Sequence, residues 1–196
     1  MQPFEVVCAP YTVYAATVGT NFPNIDAVPT TGPGGWTQVG TSGNKNYTDT
    51  GVTVTHTQTV STFTPAGSTT VRKAWRTEEG VTFALEVADL SPAQYALILD
   101  NITVQTNAPS TTAGGDSHFE LMRGVQVNQY ALLVRGISPV NEAYAAQYEV
   151  PSAFMMGNPA PRYSKQGPAT LAIEFHAFEL TPNHLATWRA QSSTHS

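Results

Sequence analysis

The sequence has a single cysteine, little charge and no long apolar run, and each shortage excludes a class of protein. Cys8 alone cannot form an internal disulfide, a thiolate metal site or a redox motif, so the chain is not a disulfide-stabilised secreted scaffold. No stretch approaches the roughly eighteen apolar residues of a membrane span, and the first residues lack a basic region followed by an apolar one. We expect a soluble protein that is made in the cytoplasm and has no membrane partner.

Positive charge is also scarce, and this bears on nucleic acids. Lys and Arg number 9 against 14 Asp and Glu, which gives a formal net charge of -5 at pH 7. Because no overall field attracts phosphates, any contact with DNA is expected to be passive or local, without sequence-specific binding. Only 12% of residues are charged, but 41% are hydrophobic and 10% aromatic, enough to fill a core. The 196 residues fit one domain, 1–196.

Glycine, proline and threonine are abundant and indicate turns and extended segments rather than helices. Residues 1–35 include NFPNIDAVPTTGPGG, whose prolines and glycines exclude both helix and sheet interior. We therefore predict an extended N-terminal arm and loop over 1–35. Alternating segments recur over 36–180, which predicts a β-sandwich there.

Two helices are predicted. The first lies within this β region at 91–101, where an N-cap serine, a proline at the first helical position and a capping-box glutamine follow one another. These residues are Ser91, Pro92 and Gln94. A Thr-Pro pair at the start of 181–196 predicts a short terminal helix that ends at about Arg189 and precedes a frayed tail.

One segment, GVTVTHTQTVST, alternates over its whole length and is free of charge apart from its histidine. Because side chains of a strand point alternately to two faces, it predicts a threonine face and a mixed face. The threonine face comprises Thr53, Thr55, Thr57 and Thr59. The mixed face comprises Val52, Val54, His56, Gln58 and Val60. Neither face is a dry core, and such a strand is an aggregation hazard unless its edges are paired, so the pattern indicates assembly.

Further alternation predicts core strands and a second hairpin. VRKAWRTEEG and VTFALEVAD predict two strands separated by a turn at Glu78 and Glu79. FELMRGVQVNQYALLVRG predicts a hairpin whose strands meet near Asn128 and Gln129. The side chains expected to face the core in VTFALEVAD are Val81, Phe83, Leu85 and Val87.

No arrangement of residues predicts catalysis. The nucleophile elbow, phosphate-binding loops and paired-histidine metal motifs do not occur in the sequence. The five histidines are scattered, and a metal site built from Asp116, His118 and His176 would lack both cysteine and clustered carboxylates. We therefore expect no enzyme, no metal and no cofactor.

The basic residues around Trp75 do not predict a phosphate-binding patch. Strand alternation places Arg72 and Arg76 on the face opposite Lys73 and Trp75, so the positive charge is divided. An ion pair within or between subunits is the favoured role for the two arginines.

Taken in order, several segments resemble the major tail tube proteins of long-tailed bacteriophages. They are VYAATVGTNFPNID, WTQVGTSG, the run from GVTVTHTQ to YALILDN, YEVPSAFMM and RYSKQGPATLAIEFHAFEL. In that family an N-terminal arm precedes a Trp-x-x-x-Gly opening, here Trp36 to Gly40. A Gly-Val strand, a hairpin, an Arg-Thr-Glu-Glu-like turn and an apolar strand leading into one helix follow. The resemblance spans nearly the whole chain and implies a small mainly β sandwich or barrel with a flanking helix.

The resemblance further implies a structural virion protein. Six copies would close into a ring, and rings would stack into a hollow tail tube through which DNA enters the host. The partners implied are other copies of the chain, a tape measure protein in the lumen, tail tip and terminator or connector proteins at the ends, and passing genomic DNA. The protein would be made in the cytoplasm of a bacterial host and located in the virion tail.

Strand parity then divides the candidate residues between the channel and the subunit contacts. Short polar side chains keep the wall of a channel hydrated without binding tightly to DNA, which is a polyanion. The candidate lumen-facing residues are Thr53, Thr55, Thr57, Thr59, Glu120, Gln126 and Asn128. The candidate inter-subunit residues are Val52, Val54, His56, Gln58, Val60, Arg72 and Arg76.

An extracellular β-sandwich module that binds carbohydrate, or an adhesin, is the alternative, because it would share this composition. Its tryptophans would line a sugar platform. Trp36, Trp75 and Trp188 are widely separated in the sequence, which favours packing roles. A hydrolase is a third alternative, but the sequence offers no constellation of catalytic residues.

Overall fold

The computed structural model describes residues 10–32, 34–88, 90–100, 102–137, 144–165 and 167–191. Within these ranges the architecture is mainly β with one flanking α-helix, as predicted. The strands are β1 (Tyr11–Thr17), β2 (Thr37–Gln38), β3 (Tyr47–Phe63), β4 (Lys73–Val87), β5 (Gln105–Asn107), β6 (Asp116–His118), β7 (Gln129–Ile137), β8 (Ala145–Met155), β9 (Leu171–Ala177) and β10 (Thr187–Ala190). The helix is α1 (Pro92–Ile98), and a 3-10 helix, Gly43–Asn46, precedes β3.

Eight strands form one antiparallel sheet in the order β2-β1-β7-β8-β9-β4-β3, with β10 paired to β8. Strands β5 and β6 form a separate short hairpin. The two ends of the large sheet are joined by the Tyr47 hydroxyl, which accepts from the Val13 N–H at 3.1 Å and donates to the Val39 carbonyl at 2.8 Å. Burial raises the pKa of Tyr47 above its ordinary value, so the hydroxyl keeps the proton that it donates. The sheet is thereby rolled around its core.

The core lies inside this rolled sheet and draws on nearly every long strand. The predicted inward side chains of β4 are buried, and Phe83 is fully so. The other strands contribute Val13, Leu132, Val134, Val150, Leu171, Ile173 and Phe175, and α1 contributes Ile98. Each such aliphatic or aromatic side chain contributes about 1.5–3 kcal/mol relative to its exposed state, so this cluster is the main source of stability.

Helix α1 begins where the sequence predicts. Ser91 Oγ accepts from the Gln94 N–H at 3.3 Å, and a proline occupies the first turn. The glutamine side chain does more than cap, because its oxygen accepts from the Gly40 N–H at 2.8 Å and ties the helix to the end of β2. The helix ends at Ile98, before the predicted limit, and Asp100 then takes a left-handed φ of 73°. No helix within the described part of the chain is long and apolar enough to cross a membrane.

The predicted arm over 1–35 is wrong for part of its length. Tyr11–Thr17 is strand β1 and pairs with β7 through seven residue pairs, so it is an inner strand of the sheet. Its weak alternation reflects burial on both faces, since Val13, Ala15 and Ala16 are all buried. Residues 1–9 lie outside the described ranges.

The loop that follows β1 is extended, as predicted, but it packs against the outer face of the sheet. Arg135 of β7 donates to the carbonyls of Ile25, at 2.6 Å, and Ala27. Burial lowers the pKa of this guanidinium from its ordinary value. Phe22 stacks on the buried Trp36 with ring centroids 5.2 Å apart. The loop therefore covers a second, smaller core.

The predicted turn at Glu78 and Glu79 is wrong, because β4 is one continuous strand of 15 residues. A β-bulge at Thr77 absorbs one extra residue, since Thr59 pairs with Glu78 but Val60 pairs with Arg76. Glu78 and Glu79 therefore lie not in a turn but in the part of β4 where both faces are exposed to solvent.

The predicted first strand of the second hairpin is also wrong. Residues 119–128 contain no strand and are almost entirely exposed, and regular structure begins only at Gln129. Gly124 takes a left-handed φ of 74°, which interrupts an extended strand at that point.

The predicted helix within 181–196 is absent from the described residues 181–191. Thr187–Ala190 is instead β10, which pairs with β8 from Thr187/Glu149 to Ala190/Ala146. Strand β9 pairs with β8 only at Ala153–Met155, which leaves the earlier part of the same edge of β8 uncovered by β9. Strand β10 pairs with that part. Residues 192–196 lie outside the described ranges.

Candidate assembly surface

The hairpin of β3 and β4 projects from the rolled sheet. The two strands pair as far as Phe63 and Lys73, but β9 covers only Thr82–Val87 of β4. The distal part of β4, residues 73–80, therefore extends roughly 25 Å beyond its neighbour at the usual rise of about 3.3 Å per residue. Strand β3 lies at the edge of the sheet, so neither edge of the projecting part is paired with another strand of the described residues. The projecting part of β3 has no core to pack against. Its threonine and valine residues favour extended backbone and so support the strand there.

One face of the hairpin is the threonine face. Its cross-strand pairs are Thr53 with Ala84, Thr55 with Thr82, Thr57 with Gly80 and Thr59 with Glu78. The four threonines of this face are all exposed. Thr59 Oγ1 donates to the Glu78 carboxylate at 3.0 Å, so the face also bears one carboxylate from the chain's own hairpin. The result is a wall of hydroxyls that carries the Glu78 carboxylate near its distal end.

The mixed face is divided between the core and solvent. Val52 and Val54 are half-buried against the core opposite Leu85 and Phe83, so these two residues stabilise their own subunit. The remaining residues of this face are exposed and are His56, Gln58 and Val60. For these three residues a subunit contact stays the prediction.

The two arginines near the hairpin tip have different surroundings. Arg76 donates through Nε to Gln58 at 2.9 Å and forms an ion pair with Glu79 at 3.4 Å, both exposed. Such an exposed pair contributes about 0–1 kcal/mol, so it orients the side chains more than it stabilises the fold. Arg72 lies before β4, where its N–H donates to the Phe63 carbonyl at 3.0 Å and closes the hairpin.

The remaining candidate lumen residues are not on a strand that faces the threonines. Glu120 and Gln126 lie in the irregular segment 119–128. Asn128 donates its side-chain amide to the Asp100 carbonyl at 2.8 Å and its N–H to the Asp100 carboxylate at 3.0 Å. Asn128 therefore fixes the end of α1 to the start of β7. Glu78, and not Glu120, supplies a carboxylate beside Thr59 on the threonine face.

Two groups of exposed apolar side chains were missed from the sequence. The hairpin tip patch consists of Phe63, Val71 and Trp75, each about half exposed. The second group lies in the segment 119–128 and consists of Leu121, Met122, Val125 and Val127. The apolar alternation of GVQVN was the available signal, but it was interpreted as half of a hairpin. Of the three tryptophans, the predicted packing role holds for the buried Trp36, whereas Trp75 is half exposed and pairs across the hairpin with Ser61.

A cleft of about 490 Å³ separates the base of the hairpin from residues 179–188. Its lining includes His56, Glu79, Tyr148, His184 and Trp188. In the part of the chain that the structure covers, no three His, Cys, Asp or Glu side chains are placed to hold a metal.

The candidate metal trio is likewise divided. Asp116 and His118 pair with each other at 2.9 Å on the β5–β6 hairpin, whereas His176 pairs with Glu174 of β9 at 2.9 Å. Hydrogen bonds from Asn107 and His118 lower the pKa of Asp116, which is a local effect of this exposed hairpin.

The buried polar groups hold the outer loop. Gln147 Nε2 donates to the Glu149 carboxylate at 2.7 Å and to the Pro23 carbonyl at 3.2 Å. Glu149 also pairs with Arg189 of β10 at 2.9 Å. These contacts join β8, β10 and the loop after β1, which is a structural arrangement.

A solved structure with a similar fold matches nearly the whole chain. A chain of the cryo-EM structure of the anti-feeding prophage (AFP) baseplate, 6-fold symmetrised, is similar with a TM-score of 0.52 and 9% sequence identity. The match covers 96% of this chain and 97% of that chain. No family model matches the sequence, and no curated protein is detectably similar to it. The likeness shows that the chain has the mainly β fold of a component of that baseplate.

Proposed function

We propose that the protein is a structural subunit of a phage tail, and that it polymerises as stacked hexameric rings into the tail tube through which DNA reaches the host. The projecting hairpin supports this proposal more than any other feature. The distal parts of a 15-residue strand and a 17-residue strand extend beyond the sheet with exposed faces and open edges, on a fold shared with a chain of a six-fold symmetrised baseplate. Such edges invite pairing with another chain unless an assembly occupies them.

In this proposal the hairpins of adjacent subunits pair edge to edge and extend one sheet around the lumen. Main-chain hydrogen bonds between open edges supply affinity, as in β-strand addition. The available edges are the outer edge of β3 and the distal edge of β4 over residues 73–80. A heterologous contact of this kind, repeated six times, closes into a ring.

The threonine face lines the channel. Hydroxyl groups keep the wall wetted, and Glu78 repeated around each ring adds a modest repulsive field toward DNA that salt screens. The net charge of -5 agrees with a wall that lets a polyanion slide, because a basic wall would hold phosphates through counterion release. The protein has no catalytic role in this proposal. Its partners are its own copies, a tape measure protein in the lumen, tip and terminator or connector proteins at the tube ends, and passing genomic DNA.

Negative-stain microscopy combined with mass measurement tests the proposal. The purified protein at high concentration, with and without the initiator complex and length-setting protein of the tail, is expected to form rings of six copies and tubes. A stable monomer under both conditions overturns the proposal. Glycan arrays on the same sample address the carbohydrate-binding alternative, because glycan-dependent binding by a monomer is the result expected of that class.

A further inference from the structure

The strand registers place the hairpin tip and the segment 119–128 at opposite ends of the molecule. Strand β4 starts at the tip and ends at Val87, which pairs with Leu171 at the start of β9. Strand β8 runs antiparallel to β9, and β7 antiparallel to β8, so the start of β7 at Gln129 lies at the end remote from the tip. Gln129 pairs with Phe154, Phe154 with His176, and His176 with Thr82, so the start of β7 is level with Thr82. At about 3.3 Å per residue, the stretch of β4 from Lys73 to Thr82 separates the two ends by roughly 30 Å.

The segment 119–128 exposes apolar side chains in succession. Val125 is 100% exposed, and Leu121 and Met122 are 73% and 74% exposed. Single exposed apolar residues are ordinary, but a contiguous group is typical of a contact surface. The segment is held in place at one end, because Asn128 is bonded to Asp100 and Arg123 donates to the Gly157 carbonyl at 3.4 Å.

The hairpin tip patch exposes aromatic side chains that could pack against the apolar side chains of the segment 119–128. Phe63 and Trp75 lie on the same face of adjacent strands, since Phe63 pairs with Lys73 and Trp75 with Ser61. Among the described residues no aromatic ring packs against that of Trp75. The patch therefore exposes aromatic area that its own subunit leaves uncovered.

The charges of the two ends are also complementary. The tip bears Arg72 and Lys73, and no carboxylate occurs between residues 64 and 77. At the remote end, two carboxylates, Glu120 within the segment and Asp100 beside its last residue, outnumber the one guanidinium of the segment, that of Arg123. Opposite charges on the two surfaces steer the encounter and fix its orientation.

We propose that the hairpin tip patch of one copy seats on the segment 119–128 of a second copy, and that this contact stacks one ring on the next. The inference rests on the proposed function, because it takes the rings as given and names the surfaces between them. Since the two surfaces differ and lie at opposite ends, the contact is heterologous and does not close, so it propagates into a filament.

The test uses two variants of the full chain and one matched control. The segment variant carries Val125→Lys and Val127→Lys, and the tip variant carries Trp75→Ser and Phe63→Ser. Val28→Lys is the control, because Val28 is also an exposed valine, at 85%, but lies in the loop after β1. All substituted side chains are at least half exposed, so unchanged thermal melting is expected for every variant.

Each variant alone is expected to stop at single rings, with the concentration needed for elongation raised at least about tenfold, while the control forms tubes like the wild type. An equal mixture of the two variants is expected to give stacks of two rings, because the tip variant keeps an intact segment and the segment variant keeps an intact tip. This rescue on mixing is not expected if the substitutions merely damage the fold. Sedimentation velocity and negative-stain microscopy count the rings in each stack.

Tubes formed by both variants at wild-type concentrations overturn this inference alone, as does a mixture that remains single rings. A wild type that forms no rings overturns the proposed function, and this inference with it. If the tip variant melts early, Arg72→Glu with Lys73→Glu replaces it, and the expected loss of stacking then depends on salt. Unimpaired stacking by that variant at low salt also counts against the contact.

Discussion

Strand β4 crosses two environments within 15 residues. From Val81 to Val87 every second side chain is buried, and β9 flanks the strand from Thr82 onward on the edge opposite β3. From Lys73 to Glu79 it has β3 as its sole described neighbour, and every side chain is exposed. Both halves are extended strand, apart from the bulge at Thr77. The difference lies in what covers the strand.

This difference separates the part of β4 that stabilises its own subunit from the part whose surface is free to contact a partner. The buried half is stabilised by apolar area removed from water, which contributes about 25 cal/mol per Å². The distal half has only cross-strand hydrogen bonds and exposed side-chain pairs, and an isolated two-stranded hairpin is marginally stable in water. We infer that the distal half reaches its full stability only when its edges and faces are covered.

Hydrogen exchange gives the largest expected contrast between the two halves. We expect amides of Val81–Val87 to open only with global unfolding, at about 5–15 kcal/mol, and amides near Thr57 and Thr59 to open with the distal hairpin. In the isolated subunit we expect the hairpin amides to exchange at least ~100-fold faster than those of the buried half. In assembled tubes the two sets are expected to become similarly protected. Strong protection of the hairpin in a monomer would mean that these residues form a core strand and not an assembly strand.

A pair of substitutions on one strand sharpens the same contrast. Phe83→Ala removes a fully buried ring and is expected to lower the free energy of unfolding by about 3–5 kcal/mol. Trp75→Ala removes a larger but half-exposed ring and is expected to change it by less than about 0.5 kcal/mol. Urea denaturation of the monomer measures both. Equal losses would show that the tip patch packs against its own subunit.

The junction that closes the rolled sheet is the next test. Tyr47→Phe removes the hydroxyl that bonds Val13 and Val39, and leaves a donor and an acceptor without that partner. We expect a loss of about 1–3 kcal/mol in unfolding free energy. Tyr163→Phe is the matched control, because Tyr163 is 73% exposed, and it is expected to have almost no effect. Indistinguishable stabilities would mean that the hydroxyl does not join the ends of the sheet.

The buried half of β4 was predictable because a strand with one buried face has alternating apolar and polar residues in its sequence. Alternation placed Val81, Phe83, Leu85 and Val87 in the core, and all four are buried. The start of α1 was predictable for a different reason, since Ser91 and its proline act through local hydrogen bonds and fixed φ. Both signals lie within a few residues of the structure that they produce.

The exposed regions were less predictable because their conformation depends on distant neighbours. The Thr-Pro pair before β10 is a typical helix start. Thr187–Ala190 instead forms a strand, because it pairs with the edge of β8 that β9 leaves uncovered. Glu78 and Glu79 were interpreted as a turn because polar residues usually lie in turns, whereas here they lie in a strand that projects into solvent. The segment 119–128 has the alternation of a strand but no strand beside it in the described chain.

The smallest expected effect on stability, within about 0.5 kcal/mol, tests which face of the hairpin lines the channel. Thr57 is exposed on the threonine face opposite Gly80, which has no side chain, so Thr57→Lys leaves the subunit fold unchanged. Six added ammonium groups per ring would bind phosphates, and we expect normal tubes with slower DNA passage that recovers as salt rises. His56→Lys, one residue away on the mixed face, is the matched control and is expected to impair ring formation instead. Tube yield by microscopy and DNA release from assembled tails at several salt concentrations measure both effects. If Thr57→Lys fails to polymerise while His56→Lys assembles normally, the parity is inverted and the mixed face is the one that meets DNA.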